Sequence, residues 1–195
     1  MQYYILNGLG EFTDGKYCFA GNEVEGLVGK AKKFLRRGGS SLKDLYPEEP
    51  YEVTVELDKD RPKHIEKGDI ISTVGDNVMV SQEVVDELKK HNIGDVEFWP
   101  FTLINHKGRV HSKNYRFVVP VQQYDAINEE LSEVDRTKNG VVIGIDRLVL
   151  DSKKLKNAPD IFRVNDLMAM AFSEPLMEIL NKNYANFVFE KMEQA

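Results

Sequence analysis

Cysteine is nearly absent from this sequence, and long apolar runs are absent altogether. Its 195 residues include one cysteine, Cys18, which excludes an internal disulfide and a zinc site built from several thiolates. No stretch approaches the run of about 18 apolar residues that a membrane-spanning helix needs. The first residues, MQYYILNGLGEF, have neither the basic nor the apolar region of a signal peptide. We therefore expect a cytoplasmic protein that has no contact with a membrane.

The sequence also lacks the motifs that mark common catalytic sites. It contains no Gly-x-Ser-x-Gly, no His-Glu-x-x-His and no phosphate-loop lysine. His106 and His111 flank a predicted hairpin tip without a carboxylate near them in sequence, so no metal or cofactor is predicted. Ser81 and Ser173 stand where helices are predicted to begin, which favours N-caps over nucleophiles. A site assembled from distant residues leaves no sequence pattern, so an enzyme of unrecognised type is the alternative hypothesis.

The composition is that of a soluble globular protein. Hydrophobic residues make up 42% and charged residues 30% of the chain, and its length suffices for one domain or two small lobes. A polar stretch at residues 58–67 contains Pro62 and is predicted to be a loop. We predict one domain over residues 1–195, with a division into 1–67 and 68–192 as the alternative.

One local pattern occurs twice in the chain. In residues 78–105, Ser81 follows a short apolar run and precedes an amphipathic helix, a stop containing Asn and Gly, and an apolar strand. Residues 170–189 repeat this order, with Ser173 in the place of Ser81. The repeat predicts two related lobes, unless common helix and strand preferences produced it by chance. With the strands in between, it predicts an α+β fold of mostly antiparallel sheets with at least three packed helices.

Apolar spacing places the other predicted elements. A helix is predicted over residues 23–37 with Asn22 as its cap, and Asp166 is predicted to cap a later helix. Nearly continuous apolar residues over 141–150 predict a buried strand with one charged pair, Asp146 and Arg147, or a strand with a bulge at Gly144. Further strands are predicted over residues 3–6, 51–57, 96–101, 101–104, 115–121 and 161–164. The predicted core consists of Val84, Leu88, Val96, Phe98, Phe117, Val119, Ile143, Ile145, Leu148, Phe162, Leu176, Leu180 and Phe187.

Negative charge is concentrated in the middle of the chain. The formal net charge is −6, and residues 76–135 hold 6 Lys or Arg against 11 Asp or Glu. Residues 125–135, here called the acidic segment, contain no basic residue; their carboxylates are Asp125, Glu129, Glu130, Glu133 and Asp135. Such a field attracts a basic partner and repels nucleic acid. The acidic segment is thus the candidate partner-binding surface, although a solvated amphipathic helix or loop explains its charges equally well.

Positive charge is concentrated near the end of the first predicted helix. The basic cluster consists of Lys30, Lys32, Lys33, Arg36 and Arg37. One interpretation is nucleic-acid binding through phosphate contacts, which predicts salt-dependent retention on a polyanion. The other is that cations in the last turns stabilise the negative end of the helix dipole. The acidic total of the chain favours the second interpretation, so no nucleic-acid partner is predicted.

Several short stretches, taken in order, resemble one protein family. They are the Val-Ser cap at Ser81, a helix ending near Gly94, the strand VEFWP at 96–100, the sequence YDAIN at 124–128, Ile-Phe-Arg at 161–163, and a second Ser-capped helix. The chain thereby resembles the immunity-protein family numbered eleven of bacterial polymorphic toxin systems. The resemblance covers residues 68–192, and the opening residues 3–6 are also similar to how members begin.

The resemblance implies an antidote that binds and occludes a cognate toxin, with no catalytic residues and no cofactor. Its partner is then a protein, which the acidic segment predicts to be basic. The family's usual Val-Asp-Ala-Ile-Asp ends in this chain at Asn128 rather than at an acidic residue, so a role that depends on that carboxylate is not transferred. The sequence leaves the oligomeric state and the identity of the toxin open.

Overall fold

A computed structural model describes residues 1–11, 15–48, 53–140, 142–165, 167 and 169–195. These residues form three helices and mostly antiparallel sheets, which confirms the predicted α+β class. The helices are α1 (Gly29–Arg37), α2 (Gln82–Leu88) and α3 (Glu174–Asn183). The strands are β1 (Tyr3–Leu6), β2 (Phe19–Glu25), β3 (Thr54–Leu57), β4 (Ser72–Thr73), β5 (Val78–Ser81), β6 (Val96–Ile104), β7 (Val110–Pro120), β8 (Gln123–Tyr124), β9 (Glu133–Arg136), β10 (Val142–Arg147), β11 (Val149–Leu150), β12 (Ile161–Val164), β13 (Met170–Ser173), β14 (Phe189–Lys191) and β15 (Glu193–Gln194).

Two larger sheets face each other across a shared hydrophobic cluster. One has the order β4-β2-β3-β6-β7-β5 and the other β14-β1-β13-β12-β8, while β9–β10 and β11–β15 are two-stranded. Successive side chains of a strand point to opposite faces. In β5, Met79 packs with α1 on the outer side, whereas Val80 packs with α2 and α3. In β13, Phe172 joins that same middle cluster, and Ala171 faces a third cluster beneath the β9–β10 ribbon.

The sequence repeat corresponds to two structural units with the same strand arrangement. In the first unit β5 leads into α2, and β7 lies between β5 and β6, antiparallel to both. In the second unit β13 leads into α3, and β1 lies between β13 and β14, again antiparallel to both. The N-terminal strand therefore takes the place in the second unit that β7 takes in the first.

Asp69 connects the first unit to the second. Its carbonyl accepts a hydrogen bond from the Ser81 backbone N–H (2.8 Å), and its Oδ1 accepts one from the Ser81 hydroxyl (3.0 Å). Its Oδ2 accepts from the N–H of Ala185, after α3, at 2.8 Å, and its own N–H donates to the Ala185 carbonyl at 3.2 Å. The start of α2 and the chain after α3 therefore share one carboxylate.

Asp160 makes the reciprocal set of bonds. Its carbonyl accepts from the Ser173 N–H (2.8 Å), and its Oδ1 accepts from the Ser173 hydroxyl (2.6 Å). Its Oδ2 accepts from the N–H of Asn92, after α2, at 3.1 Å, and its N–H donates to the Asn92 carbonyl at 2.7 Å. Each unit thus supplies a carboxylate that binds the chain following the other unit's helix.

The predicted serine caps are confirmed as N-cap residues, and two tyrosines complete the correspondence. The Ser81 hydroxyl accepts from the Val84 N–H at 3.4 Å, whereas the Ser173 hydroxyl donates to its aspartate and makes no such bond.

Tyr115, opposite Ser81 in the sheet, donates to the carbonyl before Asp69 at 2.8 Å. Tyr3, opposite Ser173, donates to the carbonyl before Asp160 at 3.2 Å. Burial raises the pKa of Tyr3 to about 12 and also raises that of Tyr115, so both stay hydroxyl donors.

The helix predicted over residues 23–37 is wrong in its first half. Residues up to Glu25 belong to β2, where Val24 pairs with Val55, and α1 begins only at Gly29. Gly26 and Gly29 adopt φ of 84° and 54°, a left-handed backbone conformation that interrupts a right-handed helix and that glycine tolerates. The helical spacing of the apolar residues extended across this break by coincidence.

Of the two interpretations of residues 141–150, the continuous buried strand is wrong, whereas the bulge at Gly144 is confirmed by a register shift between Val142 and Gly144. The segment divides into β10 and β11, and β10 pairs only with β9 among the described residues. Ile143 is 69% exposed, because no layer covers the outer face of a two-stranded ribbon, whereas Ile145 and Leu148 are half-buried against the third cluster. Residues 51, 52 and 141 of the predicted strands and the predicted cap Asp166 lie outside the described residues.

Most of the other predicted core residues are confirmed. Val96 and Phe98 are half-buried at the rim of the middle cluster. Those that are buried are Val84, Leu88, Phe117, Val119, Phe162, Leu176, Leu180 and Phe187.

The single domain over residues 1–195 stays a prediction. The pairing of β2 with β4 and of β3 with β6 favours it, because both pairs join strands on either side of residues 67 and 68.

Replacing either connecting aspartate is expected to destabilise the whole fold. Asp69→Ala and Asp160→Ala each remove a charged acceptor and leave backbone donors unsatisfied, which costs about 1–3 kcal/mol of the free energy of unfolding. Urea denaturation measures this cost. Asp44→Ala is the control, because Asp44 is exposed and makes no side-chain hydrogen bond with a described residue. Midpoints equal to that of the control would contradict the proposed connection.

Candidate functional site

The acidic segment lies between β8 and the end of β9, and it is a turn followed by a strand rather than a helix. Ile127 is buried and bridges to Leu150, which fixes the start of the segment against the third cluster. The Asn128 side-chain oxygen accepts hydrogen bonds from the N–H groups of Glu130 (3.1 Å) and Leu131 (3.2 Å). Asn128, where the resemblance leads one to expect an acidic residue, therefore supplies the oxygen acceptor that shapes the turn.

All five carboxylates of the acidic segment are exposed, but they differ in their pairing. Asp125 accepts from the Lys154 ammonium at 3.0 Å, and Glu129 pairs with the Arg136 guanidinium at 2.7 Å. The remaining three make no ion pair with any described residue; they are Glu130, Glu133 and Asp135. The segment therefore presents three carboxylates to solvent that lack a direct ion pair. One of them, Glu133, lies opposite Arg147 in the β9–β10 ribbon and interacts with it electrostatically.

The β9–β10 ribbon adds exposed apolar side chains to these carboxylates. Val134 and Ile145, which are opposite each other, turn inward and pack on the third cluster. Ile143 is 69% exposed and Leu131 is 46% exposed. Protein interfaces combine an apolar centre with a polar and charged rim, and this surface has both. Sequence analysis missed these two residues, since Ile143 lies in an apolar run that predicts burial, and a single leucine among polar residues gives no signal that it faces solvent.

A cleft of about 570 Å³ opens beside the ribbon. One wall consists of residues 142–145 of β10, and the opposite wall includes Lys33 and Arg37 of α1, with Leu167 between them. Neither a carboxylate nor a histidine is among its described lining residues. The described lining of the cleft thus offers positive charge and apolar surface.

The basic cluster occupies the solvent side of α1. Arg36 forms an ion pair with Asp76 at 2.9 Å, which neutralises one of the positive charges of the basic cluster. Beneath it, the fully buried Arg163 donates from Nη1 to the Arg36 carbonyl at 2.8 Å. Burial lowers the pKa of Arg163 to about 10, so its guanidinium keeps its charge at neutral pH. Arg163, which does not belong to the basic cluster, thus adds a cation to a carbonyl of the last turn of α1, where the helix dipole favours positive charge.

The histidines and the cysteine do not form a catalytic site. His106 Nε2 lies 2.9 Å from the Asp58 carbonyl, and His111 Nε2 lies 3.1 Å from the Ile65 carbonyl, so the two rings contact different parts of the loop that follows β3. Cys18 Sγ is 3.5 Å from His111 Nε2, but burial raises the pKa of this thiol to about 12. A nucleophilic cysteine requires a lowered pKa, so the environment of this thiol opposes catalysis.

Among the described residues, no three side chains of His, Cys, Asp or Glu converge in a way that would hold a metal ion. No helix within these residues combines the length and the apolar character needed to cross a bilayer.

Comparison with known families gives one match. The model of the immunity protein family Imm11 matches residues 19–194, which is all but the first 18 residues and the last one. No curated protein matches the chain. The match confirms the resemblance seen over residues 68–192 and extends it to β2, β3 and α1. The acidic segment, the ribbon and the cleft lie within the matched range, whereas β1 lies outside it.

The Cys18 thiol is expected to be unreactive in the folded protein. With a pKa of about 12 its thiolate fraction at pH 8 is only about 10⁻⁴, and Ellman's reagent should react about a thousandfold more slowly than with an ordinary exposed thiol. The same protein in denaturing guanidinium chloride is the control and should react fully. Rapid stoichiometric reaction of the native protein would show instead that the thiol is activated.

Proposed function

The chain belongs to the immunity protein family Imm11, and from this membership we propose that it neutralises a cognate bacterial toxin by binding it. The proposed action is non-catalytic and takes place in the cytoplasm, with no role for a nucleic acid or a membrane. The toxin's active site or substrate groove is covered by the bound protein. The acidic segment, with Asp125, Glu129, Glu130, Glu133 and Asp135, provides the contact surface.

One observation supports this surface above the others. Glu130, Glu133 and Asp135 are exposed and form no ion pair with a described residue, although Glu133 lies opposite Arg147, and exposed Leu131 and Ile143 lie on the same ribbon and turn. Carboxylates already paired within the protein contribute little to a new contact, whereas unpaired ones attract cations of a partner. A toxin surface rich in lysine and arginine is the complement of this arrangement.

The physical role of the two kinds of side chain differs. Exposed carboxylates accelerate encounter with a basic partner, and this acceleration weakens as salt screens the charges. The affinity depends more on apolar side chains that become fully covered at the centre of the interface. Leu131 and Ile143 are the exposed aliphatic residues that the ribbon offers for this purpose.

The alternative hypothesis, an enzyme of unrecognised type, requires a cleft containing carboxylates or histidines with perturbed pKa values. The cleft beside the ribbon instead has Lys33, Arg37 and apolar side chains among its described lining. The thiol of Cys18 is held in its protonated form by burial. No feature of the described residues therefore favours catalysis over binding.

Reversing the three unpaired charges is expected to release the toxin. Tagged protein captured from lysate of its own host should retain a toxin, identified by mass spectrometry, in stoichiometric amount. The triple variant Glu130→Lys, Glu133→Lys, Asp135→Lys replaces attraction by repulsion and should lower the affinity by at least about a hundredfold. Isothermal titration with the identified toxin measures the loss.

A second triple variant controls for the change in net charge. Glu23→Lys, Asp44→Lys and Glu178→Lys alter three exposed carboxylates that likewise make no ion pair with described residues. This control should retain the toxin. Equal loss in both variants would show a nonspecific charge effect, and retention by both would remove the acidic segment from the interface.

A further inference from the structure

The cleft beside the ribbon has the unpaired edge of a β-strand as one wall. Four consecutive residues of β10, 142–145, line it. The pairing of β10 with β9 shifts register between Val142 and Gly144, so the strand is irregular where it lines the cleft. In the described residues β10 pairs with β9 alone, and an unpaired edge presents backbone N–H and C=O groups for a further strand.

The opposite wall carries positive charge. Lys33 and Arg37 are four residues apart on α1, which places them on one side of the helix. Both are exposed and make no ion pair with any described residue. The Gln123 side-chain amide donates to the Arg37 carbonyl at 3.1 Å and thereby holds the last turn of α1 against β8.

Apolar side chains lie between the cationic wall and the strand edge. Phe34 and Leu167 line the cleft from the side of α1, and Ile145 lines it from β10. Ile143 lies at the rim, where the cleft meets the outer face of the ribbon. The complement of this cleft is an extended backbone whose side chains alternate between apolar and acidic.

We propose that the cleft between α1 and β10 binds an extended acidic segment of the toxin by strand addition to the free edge of β10. The backbone of that segment pairs with β10, its carboxylates pair with Lys33 and Arg37, and its apolar side chains cover Phe34 and Leu167. This inference rests on the proposed function, because the toxin supplies the segment.

The two signs of charge on neighbouring surfaces give the complex one orientation. The outer face of the ribbon is acidic and the cleft behind it is basic, so a partner must present cations to one and carboxylates to the other. A partner docked the opposite way brings like charges together, which costs affinity. Strand addition also aligns the partner with β10, because backbone pairing sets its register.

A synthetic peptide tests the cleft without the toxin. The probe is an acetylated peptide of alternating valine and glutamate, about six residues long, the usual length of a strand. At about 1 mM, where even a millimolar site is half filled, it should slow hydrogen exchange of the amides at residues 142–147. The same peptide methylated on alternate backbone nitrogens keeps its charge but cannot add as a strand, and it should give no protection.

Charge variants on α1 test whether Lys33 and Arg37 contribute to binding of the peptide. The double variant Lys33→Glu, Arg37→Glu should weaken binding of the peptide by about tenfold, the effect of losing two exposed ion pairs. Lys32→Glu changes a neighbouring exposed cation that does not line the cleft, and it should leave the affinity unchanged. Equal weakening by both variants, equal binding of the methylated peptide, or no protection of β10 would each overturn the inference.

Failure of this inference and failure of the proposed function give different results. If the captured toxin is released by reversal of the acidic segment but binds the Lys33→Glu, Arg37→Glu variant normally, the antidote function stands and strand addition is wrong. If no toxin is captured, the proposed function fails, and the peptide experiment alone decides whether the cleft accepts an acidic strand.

Discussion

Two half-buried carboxylates, Asp69 and Asp160, connect the halves of this protein, and the remaining architecture depends on them. Each accepts a serine hydroxyl where its own unit's helix begins and a backbone N–H from the chain that follows the other unit's helix. Donors that lose a partly buried charged acceptor have no equivalent replacement. The reciprocal bonds therefore fix the two units relative to one another and hold the middle hydrophobic cluster closed.

The proposed contact surface follows directly in the chain after a strand that pairs with the second unit. β8 pairs with β12 through Gln123 and Tyr124, and the acidic segment follows at once. The β9–β10 ribbon then rests on the third cluster, on the far side of the sheet that β1 completes. Under the proposed function, this ribbon presents the acidic and exposed apolar side chains to the toxin, while its inward side chains pack on the third cluster.

Sequence and structure agree best where a signal is local. The serine caps, both amphipathic helices and the acidic segment were predictable, because a cap, a helical stripe and a run without basic residues depend on neighbours in the chain. Prediction failed for residues 23–37 and for Ile143. Gly26 and Gly29 interrupt the helix that was predicted over residues 23–37, and Ile143 is exposed because no layer covers the outer face of its ribbon.

The sequence by itself therefore determined the class of fold, the two cap-and-helix units, the family resemblance and the sign of the candidate surface. Only the tertiary structure decided that Asp69 and Asp160 bind reciprocally, that β1 completes the second unit, and that β10 keeps a free edge opposite Lys33 and Arg37. These features join residues far apart in the chain. No local propensity encodes which distant segment will cover a strand edge or accept a buried hydrogen bond, since that choice is made by packing.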